Sequence, residues 1–222
     1  MTVRMVCFDV GETLVDETEV WGSWADRLGI PRLTFFAVLG AVIERGGHHT
    51  EVFDMLRPGL DVYAVAREPE GPGRFGPDDL YPDVVPALTA LAEGGYQLAI
   101  AGNQPRRAET ALTVAGLPVE FVASSDSWGV EKPSPAFFER LLHEAGLDAA
   151  EVAYVGDRID NDVVPSAEAG LVSVFIRRGP WGYLHASKPG AARAAIRIGS
   201  LLELPDALAR WDRAGGRETG VS

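Results

Sequence analysis

Five short apolar runs, separated by segments with helical spacing, constrain the fold of this chain more than any other feature. Runs of this length, bounded by glycine and polar residues, are typical of strands buried on both faces of a sheet. Strands that alternate with helices form a parallel sheet with right-handed crossovers. The sequence therefore predicts an α/β, Rossmann-like core of three layers with a five-stranded parallel sheet. The predicted strands cover residues 3–8, 97–101, 120–124, 152–155 and 171–176.

The first strand is separated from the others by a long segment of different character. Residues 20–67 place apolar side chains at helical spacing, broken by glycine and proline, and residues 68–77 are rich in both. This pattern predicts about four short helices followed by a linker. We therefore expect two domains: a core of residues 1–16 and 81–222, and an inserted helical cap of residues 17–80 that covers the end of the first strand.

Aromatic and histidine residues of the insertion are weak candidates for site residues. Trp21 and Trp24 lie at helical spacing, where aromatic side chains usually pack in a core. His48 and His49 are adjacent and follow two glycines. Adjacent residues do not face one site on a helix, so the histidines are interpreted as surface turn residues rather than metal ligands.

Charge and cysteine content restrict the partners and the compartment. The 222 residues carry a formal net charge of −12, which argues against a nucleic-acid or anionic-membrane partner. The single cysteine, Cys7, excludes an internal disulfide and suits a reducing cytosol. The start of the chain has no signal-peptide pattern, so a cytoplasmic protein is expected. The oligomeric state is not predicted.

Polar residues follow the predicted strands. Asp9 ends the first apolar run, Asn103 follows the second, and Asp157 follows the fourth. Lys132 lies between the third strand and a helix, and Asp162 lies where the next helix opens. In open α/β sheets ligands bind beyond the carboxyl ends of the strands. We therefore expect these five side chains to meet at one edge of the sheet.

These residue types suggest a magnesium site that binds an anionic substrate. The carboxylates of Asp9, Asp157 and Asp162 are hard oxygen ligands of the kind that Mg²⁺ prefers, often while it bridges to a substrate phosphate. Plain helix capping is the alternative for Asp157 and Asp162. Lys132 is placed to neutralise a carboxylate or a phosphate.

Together these motifs resemble the haloacid dehalogenase-like hydrolase superfamily, over nearly the whole chain. The matching segments are Phe8-Asp9-Val10-Gly11-Glu12-Thr13-Leu14, Asn103, Lys132-Pro133, Gly156-Asp157 with Asp162, and the helical insertion. The resemblance implies a magnesium-dependent phosphatase for a small phosphorylated metabolite, with Asp9 as the nucleophile. It further implies that Lys132 is catalytic and binds substrate together with Gly102 and Asn103. The implied Mg²⁺ ligands are Asp9, the backbone carbonyl of Gly11, Asp157 and Asp162.

Two glycines depart from the pattern of that superfamily. Gly11 stands where its phosphatases have a second Asp as general acid and base, a group worth ~10²–10⁴ in rate. Gly102 stands where they have Ser or Thr. A catalytically impaired binding protein is therefore the alternative function. Glu12 is the nearest carboxylate in sequence and is expected to be solvated. Gly11→Asp is expected to restore the acid, provided that the cap leaves room for it.

Overall fold

The computed structural model describes residues 2–216; Met1 and residues 217–222, which the predicted core domain includes, lie outside the described residues. Within residues 2–216, six strands form one parallel sheet in the order β3-β2-β1-β4-β5-β6. Its first strand is central and pairs with β2 on one side and β4 on the other. The strands are β1 (Met5–Phe8), β2 (Gln97–Gly102), β3 (Phe121–Ser124), β4 (Val152–Gly156), β5 (Val172–Ile176) and β6 (Ile196–Ile198).

The prediction of five strands was wrong by one, because the sequence gives no signal for β6. This strand has three residues and pairs with β5 at the edge of the sheet. Ile196 and Ile198 are buried, whereas Arg197 between them is exposed. An edge strand that is half solvated and this short leaves no continuous apolar run in the sequence.

The segment between β1 and the rest of the core is helical, as predicted. Four helices occupy it: α1 (Thr18–Leu28), α2 (Arg32–Glu44), α3 (Glu51–Leu56) and α4 (Val62–Arg67). Their apolar faces pack around the buried rings of Trp24, Phe35 and Phe53. Trp24 and Phe53 pack edge to face with their ring centroids 4.7 Å apart, a favourable aromatic geometry.

Helices cover both faces of the sheet, which confirms the three-layer architecture. The remaining helices are α5 (Val84–Glu93), α6 (Arg107–Val114), α7 (Ser125–Trp128), α8 (Pro135–Ala145), α9 (Val164–Glu168), α10 (Gly179–His185) and α11 (Leu204–Arg213). Side chains alternate along a strand, so Val6 and Phe8 of β1 pack on the face covered by α5 and α11. Met5 and Cys7 pack on the opposite face with α8.

Helix α8 shows how local sequence fixes an element that supports the site. Pro135 occupies its first turn, where the missing N–H has no helical partner in any case. Gly146 ends it in the left-handed region with φ 62°, as is usual for glycine at this position. Phe137, Phe138 and Leu141 form its buried face. The helix therefore anchors the loop that carries Lys132.

No helix in residues 2–216 is both long enough and apolar enough to cross a lipid bilayer.

Candidate active site

The carboxyl ends of β2, β1 and β4 meet at the floor of a cavity of about 490 Å³. Asp9, Asn103, Lys132 and Asp157 all line this cavity. The predicted convergence of strand-end residues is therefore present. The insertion contributes Glu17, Trp21, Trp24 and His49, among others, to the opposite wall.

Lys132 lies at the centre of the cluster and is 3% exposed. Its Nζ donates to Asp9 Oδ1 at 2.7 Å and to Asp162 Oδ1 at 2.6 Å. Burial lowers the pKa of Lys132, but the carboxylates of Asp162 and Asp9 outweigh burial, so the pKa lies above its ordinary value. The ammonium is therefore charged at neutral pH. A buried lysine keeps its charge only when acids are paired with it.

Asn103 binds the main chain of Lys132 in both directions. Its Nδ2 donates to the Lys132 carbonyl at 2.8 Å, and its Oδ1 accepts from the Lys132 N–H at 2.8 Å. This pair of hydrogen bonds fixes the loop that carries the lysine. The predicted substrate-binding role of Asn103 stays a prediction, and the geometry adds a positioning role.

A close contact with Asp9 explains why residue 102 is glycine. A Cβ there would lie 2.5 Å from Asp9 Oδ1, closer than such atoms approach in proteins. The backbone at the end of β2 therefore passes directly against the Asp9 carboxylate. A serine or threonine at this position would require Asp9 to move, so the phosphoryl-binding hydroxyl expected from the family pattern has no space here.

The three acids form a compact group that fits a hard divalent cation. Oxygens of Asp9, Asp157 and Asp162 lie within 4.8 Å of one another. Asp157 Oδ2 is buried and, within the described part of the chain, has no hydrogen-bond partner. Burial, followed by the charges of Asp162 and Asp9, raises the pKa of Asp157 well above its usual range. Buried carboxylates of this kind are stabilised by a metal ion.

Asp162 already uses both of its oxygens. Oδ1 accepts from Lys132, and Oδ2 accepts from the backbone N–H of Arg158 at 2.9 Å. Burial is the main reason that its pKa is raised to about 6. Asp162 therefore orients Lys132 as well as bordering the acidic group.

Glu17 is a site residue that sequence reasoning missed. A Cβ built at Gly11 would collide with the Glu17 carboxylate, so this carboxylate fills the space that a side chain at position 11 would need. Its Oε2 accepts from Trp21 Nε1 at 3.0 Å. Burial, followed by the nearby charge of Glu12, raises the pKa of Glu17 to about 8. The sequence offered no signal for this, because Glu17 belongs to the insertion.

Glu12 is not solvated, contrary to expectation. Its side chain is 5% exposed, and its Oε2 accepts from the Tyr81 hydroxyl at 2.5 Å. Its Oε1 accepts from the Glu17 backbone N–H at 3.3 Å. Burial raises the pKa of Glu12 above its usual value. Glu12 thus holds the start of the insertion in place and, in doing so, places Glu17.

An aromatic wall of Trp21, His49 and Trp181 faces the acids. The ring centroids of Trp21 and His49 are 5.7 Å apart, and that of Trp181 lies 6.4 Å from each. The surface interpretation holds for His48, which is exposed, but was wrong for His49, which is partly buried. Trp21, interpreted as a packing residue, also lines the cavity. The glycine pair beside the histidines gave no indication that this turn folds inward.

Arg178 holds the loop after β1 in place, and no sequence motif predicts this role. Its Nη1 donates to the Thr13 carbonyl at 2.9 Å, and its Nη2 is paired with Asp83. Its guanidinium lies 4.1 Å from the centre of the Tyr81 ring. These contacts join the turn of the first motif to α5 and to the end of β5.

Comparison with known proteins agrees with this geometry. A family model described as haloacid dehalogenase-like hydrolase matches residues 3–170. A glyceraldehyde 3-phosphate phosphatase of Methanopyrus kandleri is 36% identical over 81% of this chain and 86% of its own length. A plasmid-encoded phosphoglycolate phosphatase of Cupriavidus necator is 30% identical over 92% of this chain and 94% of its own.

A solved structure shows the same fold. The HAD-hydrolase YfnB of Bacillus subtilis, bound to magnesium, has a TM-score of 0.68 and 19% identity over 94% of this chain and 99% of its own. The family match covers most of the chain and agrees with the motifs and their arrangement in the cavity, so this protein belongs to the haloacid dehalogenase-like hydrolase family.

Proposed function

We propose that this protein is a magnesium-dependent phosphatase that acts on small phosphorylated metabolites through an aspartyl-phosphate on Asp9. One observation carries the proposal: the Asp9 carboxylate lies at the end of β1, paired with buried Lys132 at 2.7 Å and grouped with two further acids in an accessible cavity. The relatives named as phosphatases of glyceraldehyde 3-phosphate and phosphoglycolate support the substrate class.

The proposed metal ligands are Asp9, Asp157 and the carbonyl of Gly11, with Asp162 bordering the site. The buried Oδ2 of Asp157, which has no hydrogen-bond partner among residues 2–216, is the observation that fits a cation. When bound, Mg²⁺ would offset the charge of the carboxylates and of the phosphoryl group.

Asp9, Lys132 and Glu17 have separate roles in the proposed reaction. Lys132 holds Asp9 Oδ1, so the other Asp9 oxygen is the one left to attack phosphorus. The Lys132 ammonium stabilises negative charge on the transferring group. Glu17, whose carboxyl lies where an acid at position 11 would stand, holds the proton for the leaving oxygen and later takes one from the water that cleaves the aspartyl-phosphate.

We also propose that residues 17–80 form the cap domain of this site, with the core formed by residues 1–16 and 81–222. The insertion supplies Glu17, Trp21 and His49 to the cavity wall, which supports this division. Closure of such a cap would exclude water from the reacting groups. The cytoplasmic location stays a prediction from the sequence.

The alternative is a binding protein that has lost turnover. The missing side chains at Gly11 and Gly102 favour that alternative. Glu17 weakens it, because a carboxyl does occupy the space beside Gly11.

The test compares wild type with Asp9→Asn on aryl, acyl and alkyl phosphates in the presence of Mg²⁺. We expect hydrolysis by wild type and none above background by the variant, because the nucleophile is gone. Asp54→Asn removes an exposed acid of α3 and should leave the rates unchanged. Equal rates in wild type and Asp9→Asn would refute the mechanism, and binding of the esters without turnover by wild type would favour the binding protein.

A further inference from the structure

We propose that Arg158 selects substrates whose leaving group carries a carboxylate, which its guanidinium binds at the wall of the cavity. This inference rests on the proposed phosphatase function, since it names the class of leaving group that the same site accepts. It concerns a residue to which neither the sequence motifs nor the comparisons give a role.

Arg158 is held rigidly between the acids and the aromatic wall. It directly follows Asp157 at the end of β4, and its backbone N–H donates to Asp162 Oδ2 at 2.9 Å. Its guanidinium carbon lies 5.0 Å from the centre of the buried Trp181 ring. The side chain is 19% exposed. Stacking on an aromatic face keeps the guanidinium plane fixed.

The hydrogen bonds of this guanidinium leave one edge free. Nε and Nη2 donate to the Asp160 carboxylate at 3.2 and 2.7 Å. Nη1 contacts no hydrogen-bond acceptor within residues 2–216. The edge formed by Nη1 and Nη2 can therefore take a second planar pair of oxygens, which is the geometry of a carboxylate.

The pair with Asp160 does not neutralise the site fully. The Asp160 side chain is 58% exposed, and exposed ion pairs contribute little because water screens them. Asp160 therefore orients the guanidinium and leaves some of its N–H donors available to a ligand. A ligand carboxylate inside the cavity would be screened less than Asp160 is.

The charges of the cavity leave an anionic substituent one favourable position. Lys132 and Arg158 are the two permanently charged cations that line it among residues 2–216. Both acceptors of the Lys132 ammonium, Asp9 and Asp162, are already in place. Glu17 faces the rest of the wall. A carboxylate placed elsewhere would meet these acids, whereas beside Arg158 it meets the N–H donors that the solvent-exposed Asp160 does not use among residues 2–216.

The experiment measures kcat and KM for two esters of similar size, 2-phosphoglycolate and 2-hydroxyethyl phosphate, in wild type and Arg158→Gln. We expect KM for the carboxylate ester to rise roughly 10- to 100-fold in the variant, the loss typical of a hydrogen bond to a charged group, while KM for the neutral ester stays near wild type. Arg158→Lys keeps the charge without the fork and should give an intermediate KM. Arg140→Gln removes an exposed arginine of α8 and should change neither KM.

Two kinetic outcomes would overturn the inference. One is an equal rise in KM for both esters, which would place Arg158 on the phosphoryl group. The other is no change for either ester. In both cases hydrolysis by wild type would leave the proposed function standing.

A binding measurement separates the inference from turnover. Asp9→Asn and the double variant Asp9→Asn/Arg158→Gln are titrated with both esters, with tryptophan emission, to which Trp21 and Trp181 of the cavity wall contribute, as the signal. Tighter binding of 2-phosphoglycolate that is lost in the double variant supports the role of Arg158, even if wild type hydrolyses neither ester. Equal affinity of the two variants for 2-phosphoglycolate would refute it.

Discussion

A side chain at position 11 and the Glu17 carboxylate would need the same small volume. Because residue 11 is glycine, the Glu17 carboxylate lies there. With glycine at position 11, the Glu17 carboxylate can lie against the turn after β1. The Glu17 backbone N–H donates to Glu12, and Trp21 Nε1 donates to the Glu17 carboxylate; these two hydrogen bonds hold Glu17 there. In the proposed mechanism, Glu17 therefore takes the place of the acid that the family pattern has on this turn.

This arrangement predicts the effect of Glu17→Gln on leaving groups. Hydrolysis of alkyl phosphates should fall by ~10²–10⁴, because a poor leaving oxygen needs a proton from a positioned acid. Aryl phosphates should be affected far less. The measurement is a series of kcat/KM values against leaving-group pKa. Glu19→Gln, which removes an exposed acid in the first turn of α1, is the matched control, and an equal fall for both ester classes would exclude proton donation by Glu17.

The expectation that Gly11→Asp restores the acid required space under the cap, and the Glu17 carboxylate occupies that space. The new side chain would collide with Glu17, so the single variant should not gain activity. If Glu17 is first shortened to alanine, the added Gly11→Asp has space and should recover part of the lost alkyl phosphatase activity.

At the scale of elements, the turn between α2 and α3 closes the cavity with a neutral histidine. His49 packs edge to face against Trp21 and Trp181. Burial, followed by the charge of His48, lowers the pKa of His49 to about 3. The folded protein therefore keeps this ring unprotonated well below neutral pH.

The shift makes the stability of the fold depend on pH. An unfolded chain binds a proton at His49 below about pH 6.5, whereas the folded chain does not until about pH 3. The free energy of unfolding should therefore fall as pH drops from 6.5, by at most about 1.4 kcal/mol per pH unit from this group. In His49→Gln this part of the fall should be missing, as measured by urea unfolding at several pH values. His143→Gln, which removes an exposed histidine of α8, serves as the control; the same acid dependence in wild type and His49→Gln would contradict the assignment.

At the scale of the whole molecule, the sheet concentrates unfavourable charge at one edge. Asp9 is remote in the chain from Asp157 and Asp162, and the sheet topology brings carboxylate oxygens of all three within 4.8 Å of one another. Keeping Asp157 buried without a partner costs stability in the absence of a cation. Binding of Mg²⁺ and folding should therefore be coupled.

Magnesium should raise the melting temperature of wild type and leave that of Asp157→Asn unchanged. The gain at an Mg²⁺ concentration of 100 times Kd would be about 2.7 kcal/mol. Without metal, the variant should melt above wild type, because a neutral amide replaces a buried acid. Differential scanning calorimetry with Mg²⁺ and with EDTA measures both effects. Asp54→Asn controls for net charge, and an Mg²⁺ shift of the same size in Asp157→Asn would remove these acids as the metal site.

The sequence by itself determined the layers of the core and the convergence of its polar residues. Apolar runs and helical spacing are local signals, and parallel strands necessarily bring their carboxyl ends to one edge. Asp9, Lys132, Asp157 and Asp162 could therefore be assigned to one candidate site from their positions along the chain. The predicted number of strands was wrong, because β6 has only three residues and the middle one, Arg197, is exposed, so the sequence shows no apolar run there.

Tertiary structure alone decided which side chains complete the site. The placement of Arg158 on Trp181 and of Arg178 under Thr13 depends on distances between segments that are remote in the chain. The placement of Glu17 beside Gly11 depends on how the turn between them folds. Composition and spacing carry no information on such distances, because they describe one segment at a time. The glycine at position 102 has the same explanation: the absence of a side chain is visible in the sequence, but the Asp9 oxygen that excludes one is visible only in the folded chain.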